Sequence, residues 1–136
     1  MDSNDKLLGF LAALLGFLTV AGGAFGAHGL EGSIPARDLA AFDTGMRYGL
    51  IHAVAAVVAL LVSQQGLAAA RMSGWAFIVG IVLFSGSLAF LGITGSRALV
   101  LVTPLGGLAF LPGWVFLCFG VIVQRHKENW NLPKLV

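Results

Sequence analysis

The side chains of this chain that could do chemistry are few, and most of them lie in one short stretch. Asp43, Arg47, Tyr48 and His52 are separated by four, one and four residues. Residues three or four positions apart lie on adjacent turns of one helical face. Such a line could carry protons or coordinate an anion. The simpler interpretation is that His52 points into a helix bundle and donates one hydrogen bond to a neighbouring helix. Arg47 is then expected to find an acidic or carbonyl partner, for which Asp43 in its own helix is a candidate.

Two further ionisable side chains, His28 and Glu31, follow the first apolar run. They resemble half of a metal site, but two ligands are too few for a metal ion, so the sequence predicts none. A cation near the C-terminal end of a helix is stabilised by the helix dipole. We therefore expect His28 to act as a capping residue.

Ser85 and Ser87 flank Gly86 and raise the question of an intramembrane hydrolase, in which a base activates a serine hydroxyl. There is no GxSxG string, and no third acid stands at a suitable depth. We expect both serines to pack against helices and predict no catalytic residue. Gly106-Gly107 lacks the lysine of a phosphate-binding loop, so no nucleotide cofactor is expected either.

The composition determines the solvent that surrounds these residues. Hydrophobic residues make up 58% of the chain and charged residues 10%, whereas a soluble domain carries about 25% charged residues. So few charges cannot cover a surface in water, and lipid must surround most of the protein. The net charge of +2, without a basic stripe that contains aromatic residues, predicts no nucleic-acid partner.

Four segments are long and apolar enough to cross a membrane, which takes about 20 residues of helix. We predict spans near 7–28, 36–64, 74–94 and 104–124 within a single domain, residues 1–136. The start of the second helix is amphipathic, so this helix should lie at the interface and enter the membrane near Tyr48. The predicted fold class is all-α, a four-helix transmembrane bundle.

Glycine, serine, threonine and proline mark the expected helix ends. Gly29 and Gly95 are predicted to end helices in the left-handed conformation. Ser33 is expected to cap the second helix and Thr103 the fourth, where Pro104 would be the first helical residue.

Small residues recur every seven positions, a period that keeps one seam of a helix facing its partner in a left-handed bundle. In lipid, close packing and interhelical hydrogen bonds are what hold helices together. The residues predicted to pack helices in this way are Gly16, Gly23, Gly80, Ser85, Ser87, Gly106 and Gly113.

The cations indicate the orientation. With four spans, both termini lie on the side of the middle loop. That side carries five cations and the other side three: Lys6, Arg71, Arg125, Lys127 and Lys134 against Arg37, Arg47 and Arg97. Because cytoplasmic loops carry the excess of Lys and Arg, both termini are predicted to be cytoplasmic.

Several strings occur together in the order and spacing of a known family. They are GAFGAHGL at 23–30, Arg47-Tyr48 with His52-Ala53, LFSGSL at 83–88, and TPLGG at 103–107 with Gly113-Trp114. With them, the chain resembles the small inner-membrane family of YgdD- and YwdK-type proteins. Phe42, Gly49 and Phe90 depart from the residues common there. The resemblance implies four spans in the bacterial inner membrane and no assigned activity.

Three classes of function follow from these observations. The first is a non-enzymatic structural or accessory protein that binds membrane lipids or another membrane protein. The alternative is a small transporter or channel for a solute, an ion or a proton, which would have to be a homo-oligomer because four helices seldom enclose a wide pore. An intramembrane enzyme is the third.

Overall fold

A computed structural model describes the backbone of residues 1–130 and the side chains of residues 1–122. The α-helices are α1 (Ser3–Phe25), α2 (Ala36–Ser63), α3 (Ala68–Gly80), α4 (Gly86–Thr94) and α5 (Val102–Trp130). Two π-helical segments extend them: Gly26–Leu30 continues α1, and Ile81–Ser85 joins α3 to α4.

The helices form four apolar rods long enough to cross a membrane. We call them span 1 (Ser3–Leu30), span 2 (Ala36–Ser63), span 3 (Ala68–Thr94) and span 4 (Val102–Ile122). Residues 1–130 contain no strand. The predicted all-α transmembrane bundle is thus confirmed.

Two spans begin earlier than the apolar pattern suggests. Span 1 starts at Ser3, because the Asp2 carboxylate accepts the backbone N–H of Asp5 at 2.9 Å and caps the helix. This hydrogen bond, helped by the nearby Arg71, lowers the pKa of Asp2. Span 3 starts at Ala68 instead of near residue 74, because the run Ala68–Ala70 has high helix propensity.

The predicted helix ends are partly wrong. Gly95 ends span 3 with φ 67°, as predicted, but the left-handed glycine after span 1 is Gly32, with φ 74°, and not Gly29. The π turn carries the helix past Gly29, since the Glu31 N–H still donates to the Gly26 carbonyl. Ser33 does not cap span 2, which begins after Pro35. Thr103 lies inside the first turn of α5.

Spans 2 and 3 form the centre of the bundle. Span 1 packs on span 2, and span 4 packs mainly on span 3. The core is built from alanines of span 2 together with larger residues such as Leu8, Phe77, Ile81 and Phe110. Large apolar side chains such as Phe17 and Ile122 are exposed on the outside, where they contact lipid.

Glycines bring spans 3 and 4 into close contact. A Cβ atom at Gly80 would lie 2.5 Å from the Phe110 ring, and one at Gly113 would lie 2.6 Å from the Phe77 ring. A Cβ atom at Gly106 would overlap the backbone of Phe84. At these positions any larger side chain would push the two spans apart.

The seam predicted on span 1 does not run its full length. A Cβ atom at Gly16 would meet the Ala53 Cβ at 3.7 Å, an ordinary contact with span 2. Around Gly23 nothing lies within 4 Å, so its prediction as a packing residue is corrected. The contact with span 2 at this end is made instead by Gly22 and Gly26, which face Met46 and Phe42.

A polar network that the sequence analysis missed joins spans 1, 2 and 3 at the end of the bundle that carries the N-terminus. The buried Asp5 carboxylate accepts a hydrogen bond from Gln64 Nε2 at 3.0 Å and one from Arg71 Nη2 at 3.3 Å. Arg71 Nε lies 3.0 Å from Asp5 Oδ1, close enough for an ion pair but not aligned for a hydrogen bond. Arg71 also pairs with Asp2 at 3.1 Å. We call this end the terminal side and the opposite end the loop side.

Candidate functional site

His52 is buried in the bundle, and each of its ring nitrogens has a partner. Trp114 Nε1 lies 3.2 Å from His52 Nε2, and the Tyr48 carbonyl lies 2.7 Å from Nδ1. An indole N–H can only donate, so Nε2 must accept. The proton of the neutral ring is then on Nδ1, which donates to Tyr48. This single tautomer satisfies the whole ring.

Aromatic side chains enclose the His52 ring. The Phe110 ring stacks on it with centroids 3.5 Å apart and an interplanar angle of 14°. Phe77 and Trp114 cover other sides at 5.5 and 5.9 Å. A second proton would have to enter at Nε2, facing the indole N–H. The surroundings therefore hold His52 as a neutral hydrogen-bonding group.

Asp43, Arg47, Tyr48 and His52 do not form a continuous line. Asp43 is half-buried against span 1, where its Oδ1 would lie 3.0 Å from a Cβ at Gly26. Arg47 is exposed and has no ion pair or hydrogen bond among the described residues, so the expected acidic or carbonyl partner, Asp43 included, is not found there. The half-exposed Tyr48 ring packs against the Phe84 ring, with the two centroids 5.1 Å apart.

His28 and Glu31 lie on the loop side and are both exposed. His28 belongs to the last turn of span 1, where the helix dipole favours a cation. Within residues 1–122 no group of three potential metal ligands comes together.

Ser87 and Ser85 differ sharply in their bonding. Ser87 Oγ donates to the Phe84 carbonyl at 2.9 Å and shares a hydrogen bond with Thr103 Oγ1 at 2.7 Å, so it joins spans 3 and 4. Ser85 is 3% exposed, and its Oγ has no partner among the described residues. It faces Gly49 of span 2, where a Cβ would lie 2.8 Å from Oγ.

A structural feature that the sequence did not indicate is a groove of about 410 Å³ between spans 1 and 3, with span 2 as its floor. We call it the first groove. Side chains that line it include Leu18, Phe25, Met46, Val82, Ala89 and Ile93. Ser85 and Thr19 are its polar residues. The Thr19 hydroxyl donates its hydrogen bond within its own helix, to the carbonyls of Leu15 and Gly16. Its lining lies within the membrane-spanning segments of spans 1, 2 and 3.

A second groove of about 410 Å³ lies on another side of the bundle, between spans 2 and 4. We call it the second groove. It is lined by Leu50, Ile51, Val54, Val58, Trp114 and Leu117, together with Ala55. Arg47 lies one helical turn before Leu50 and Ile51, toward the loop side.

Four apolar spans and a surface of exposed large apolar side chains define a multi-pass helical membrane protein. Comparison of the sequence with protein families gives a more specific assignment. The profile of the family described as "Protein of unknown function (DUF423)" matches residues 22–107. The chain belongs to this family.

Individual relatives agree with this assignment. The chain is 42% identical to the UPF0382 membrane protein YwdK of Bacillus subtilis, over 86% of this chain and 97% of the relative. It is 43% identical to a UPF0382 membrane protein of Haemophilus influenzae, over 81% and 89%. The UPF0382 inner membrane protein YgdD of Escherichia coli is 38% identical, over 91% and 95%. No solved structure matches the chain. The predicted family and membrane location are confirmed.

Proposed function

We propose that the protein is a non-enzymatic lipid-binding membrane protein, and that the first groove holds one acyl chain of a bilayer lipid. The observation that carries this proposal is the groove itself: an apolar cleft of about 410 Å³ within the membrane-spanning region. This volume falls in the range of about 300–1,000 Å³ that is typical of small-molecule sites.

The length and depth of the first groove match one leaflet. On span 1 its lining runs from Leu15 to Phe25, ten residues or about 15 Å at the rise of an α-helix. The hydrocarbon core of a bilayer is about 30 Å thick. Asp5, in the polar network of the terminal side, lies about 15 Å below Leu15 by the same rise. The groove thus occupies the leaflet of the loop side.

An acyl chain would gain little free energy by moving from the surrounding lipid into the groove, since the other acyl chains are as apolar as the groove walls. Its retention must come from fixed packing contacts with side chains on three spans. A lipid held in this way would exchange more slowly than the lipids around the rest of the bundle.

The transporter hypothesis has less support. Both nitrogens of His52 are occupied, and among the described side chains Arg47 makes no ion pair or hydrogen bond with Asp43. The enzyme hypothesis lacks a base that activates Ser85, because the Ser85 hydroxyl has no hydrogen-bond partner among the described residues.

Site-specific photo-crosslinking tests the proposal. A diazirine amino acid at Val82 places the reactive group at the first groove, and one at Val79 serves as control, because Val79 lies on the same span and is similarly exposed, at 48% against 56%. After exhaustive detergent washing and then irradiation, mass spectrometry should find lipid adducts at Val82 and few at Val79. If washing leaves as few lipid adducts at Val82 as at Val79, the proposal is refuted.

A matched pair of variants blocks the groove. Gly86 lines the groove, and a Cβ there meets nothing within 4 Å, so Gly86→Leu should fill the groove without disturbing the fold. Gly23→Leu adds the same side chain at a position that is equally open but lies outside the groove. Adducts at Val82 should disappear with Gly86→Leu and persist with Gly23→Leu.

A further inference from the structure

The second groove differs from the first because a cation lies at its end. Arg47, Leu50, Ile51 and Val54 follow one another at spacings that place them on one face of span 2. All four side chains are exposed. This face therefore carries the apolar groove and, one helical turn beyond the groove's lining toward the loop side, Arg47.

The depth of Arg47 can be derived from the helix. Gln64, which bonds to the buried Asp5, belongs to the polar network of the terminal side. Arg47 is seventeen residues earlier in the same continuous helix, or about 25 Å away. In a hydrocarbon core of about 30 Å its Cα then lies about 5 Å inside the loop-side boundary. From there a long side chain can reach the headgroups.

An arginine at this depth favours a position at the headgroups with an anionic partner there, because a charge that stays in hydrocarbon costs several kcal/mol. The ion pairs recorded among the described side chains are those of Arg71, at the opposite end of the bundle. Asp43, the acid one turn away, faces span 1. The anion that the surroundings offer at this level is a lipid phosphate.

Trp114 forms the wall of the second groove on span 4. Its indole N–H donates to His52, which fixes the ring orientation and leaves an apolar face toward the groove. The Trp114 ring is thus held in place before any lipid binds. An acyl chain that packs against it therefore costs less conformational entropy than one that has to order a mobile side chain.

We propose that Arg47 and the second groove bind one anionic phospholipid of the loop-side leaflet: the guanidinium binds the phosphate, and one acyl chain lies along Leu50, Ile51 and Val54. A guanidinium matches a phosphate with two parallel hydrogen bonds. A net negative headgroup is preferred because the ammonium of a zwitterionic lipid competes with Arg47 for the phosphate. This site uses a different pair of spans from the first groove, so it does not rest on the proposed function.

Lipid retention measured by native mass spectrometry tests the site. The protein is reconstituted in bilayers of equal parts phosphatidylglycerol and phosphatidylcholine, extracted in mild detergent, and its bound lipids are counted. The wild-type protein should retain phosphatidylglycerol selectively. Arg47→Gln should reduce that retention about five- to tenfold, as expected for one cation at a membrane surface. Arg97→Gln removes another loop-side cation away from the groove and should leave retention unchanged.

A second pair of variants tests the apolar part at constant charge. Val54→Trp should fill the groove and abolish selective retention, whereas Val79→Trp, at an exposed position of span 3 outside the groove, should not. Gly86→Leu should leave this lipid in place, which separates the site from the first groove. Retention that survives Arg47→Gln, or that falls equally with Arg97→Gln, overturns the proposal. So does efficient disulfide dimerisation of Val54→Cys in a Cys118→Ala background, since the groove would then be covered by a second copy.

Discussion

His52 joins two helices that otherwise touch little. Spans 2 and 4 have few direct contacts, since span 4 packs mainly on span 3. The hydrogen bond from Trp114 to His52 crosses this gap at 3.2 Å. Because the ring is 5% exposed, water does not compete for the bond. We interpret His52 as a structural residue that links spans 2 and 4. It also orients Trp114, which forms one wall of the second groove.

Replacing His52 by leucine should destabilise the bundle by about 1–2 kcal/mol, because the Trp114 N–H would lose its acceptor. Trp114→Phe removes the donor of the same bond. The double variant should therefore lose less than the sum of the two single variants when unfolding by SDS is followed in mixed micelles. Strictly additive losses would show that the two residues are not coupled.

The direction of His52 was predictable from its type, whereas its partner was not. Lipid offers nothing to ring nitrogens, so the ring must point inward. Its donor, however, is Trp114, 62 residues later, and only the tertiary register of two spans brings the pair together. The same limit explains Arg47. A helical spacing of four allowed a pair with Asp43, but packing on span 1 turns the carboxylate toward Gly26.

At the scale of elements, the contact between spans 3 and 4 depends on Gly106. A methyl group there would overlap the Phe84 backbone, which cannot move without shifting a helix. Gly106→Ala should therefore destabilise the bundle by about 1–3 kcal/mol, the usual cost of overpacking. Gly23→Ala, with open space around it, should be neutral or slightly stabilising. Equal melting temperatures of the two variants in detergent would contradict this ranking.

Spans 1 and 3 are joined by the ion pair of Asp5 and Arg71. Arg71→Gln leaves a carboxylate that is 4% exposed without its cation. The expected loss of stability is about 2–3 kcal/mol, below the value for a fully buried pair because Arg71 is partly exposed. Lys6→Gln, at an exposed neighbouring cation, should have little effect. Adding Asp5→Asn to Arg71→Gln should recover part of the loss. A double variant less stable than Arg71→Gln alone would contradict the pairing.

The existence of each span was easier to predict than the alignment of one span against another. Runs of apolar residues revealed the four spans, and Gly95 marked a helix end because only glycine adopts its conformation easily. The seven-residue glycine series on span 1 misled at Gly23, since spacing along one helix does not show which of its residues a neighbouring helix reaches. The ion pair of Asp5 and Arg71 was not predicted, because their separation of 66 residues conceals the contact.

For the whole molecule, the pairwise packing of the spans explains the grooves. Span 1 rests on span 2 and span 4 on span 3, so clefts remain between spans 1 and 3 and between spans 2 and 4. Both clefts are lined by residues of the same types as the surface that faces lipid. Composition and periodicity therefore could not reveal them. The proposed lipids would fill the spaces that the chain leaves open in its own bundle.

The orientation of the whole bundle gives the last prediction. The structure brings Asp5, Gln64 and Arg71 together at one end, and Gly120 packs beside Ala70 there, so the N-terminus, the middle loop and the end of span 4 share a side. The sequence assigns five cations to that side and three to the loop side; Arg125, Lys127 and Lys134 are counted from the sequence alone, because they lie beyond the described side chains. Fluorescent-protein fusions should fluoresce at both termini, and phosphatase fusions there should be inactive, as for cytoplasmic ends. Glu31→Lys with Ser33→Lys, both at exposed loop positions, raises the loop side to five cations and should produce mixed insertion. Glu31→Gln with Ser33→Gln adds no cation and should not produce mixed insertion. Active phosphatase at a terminus of the wild-type chain would show that the bundle is inserted the other way.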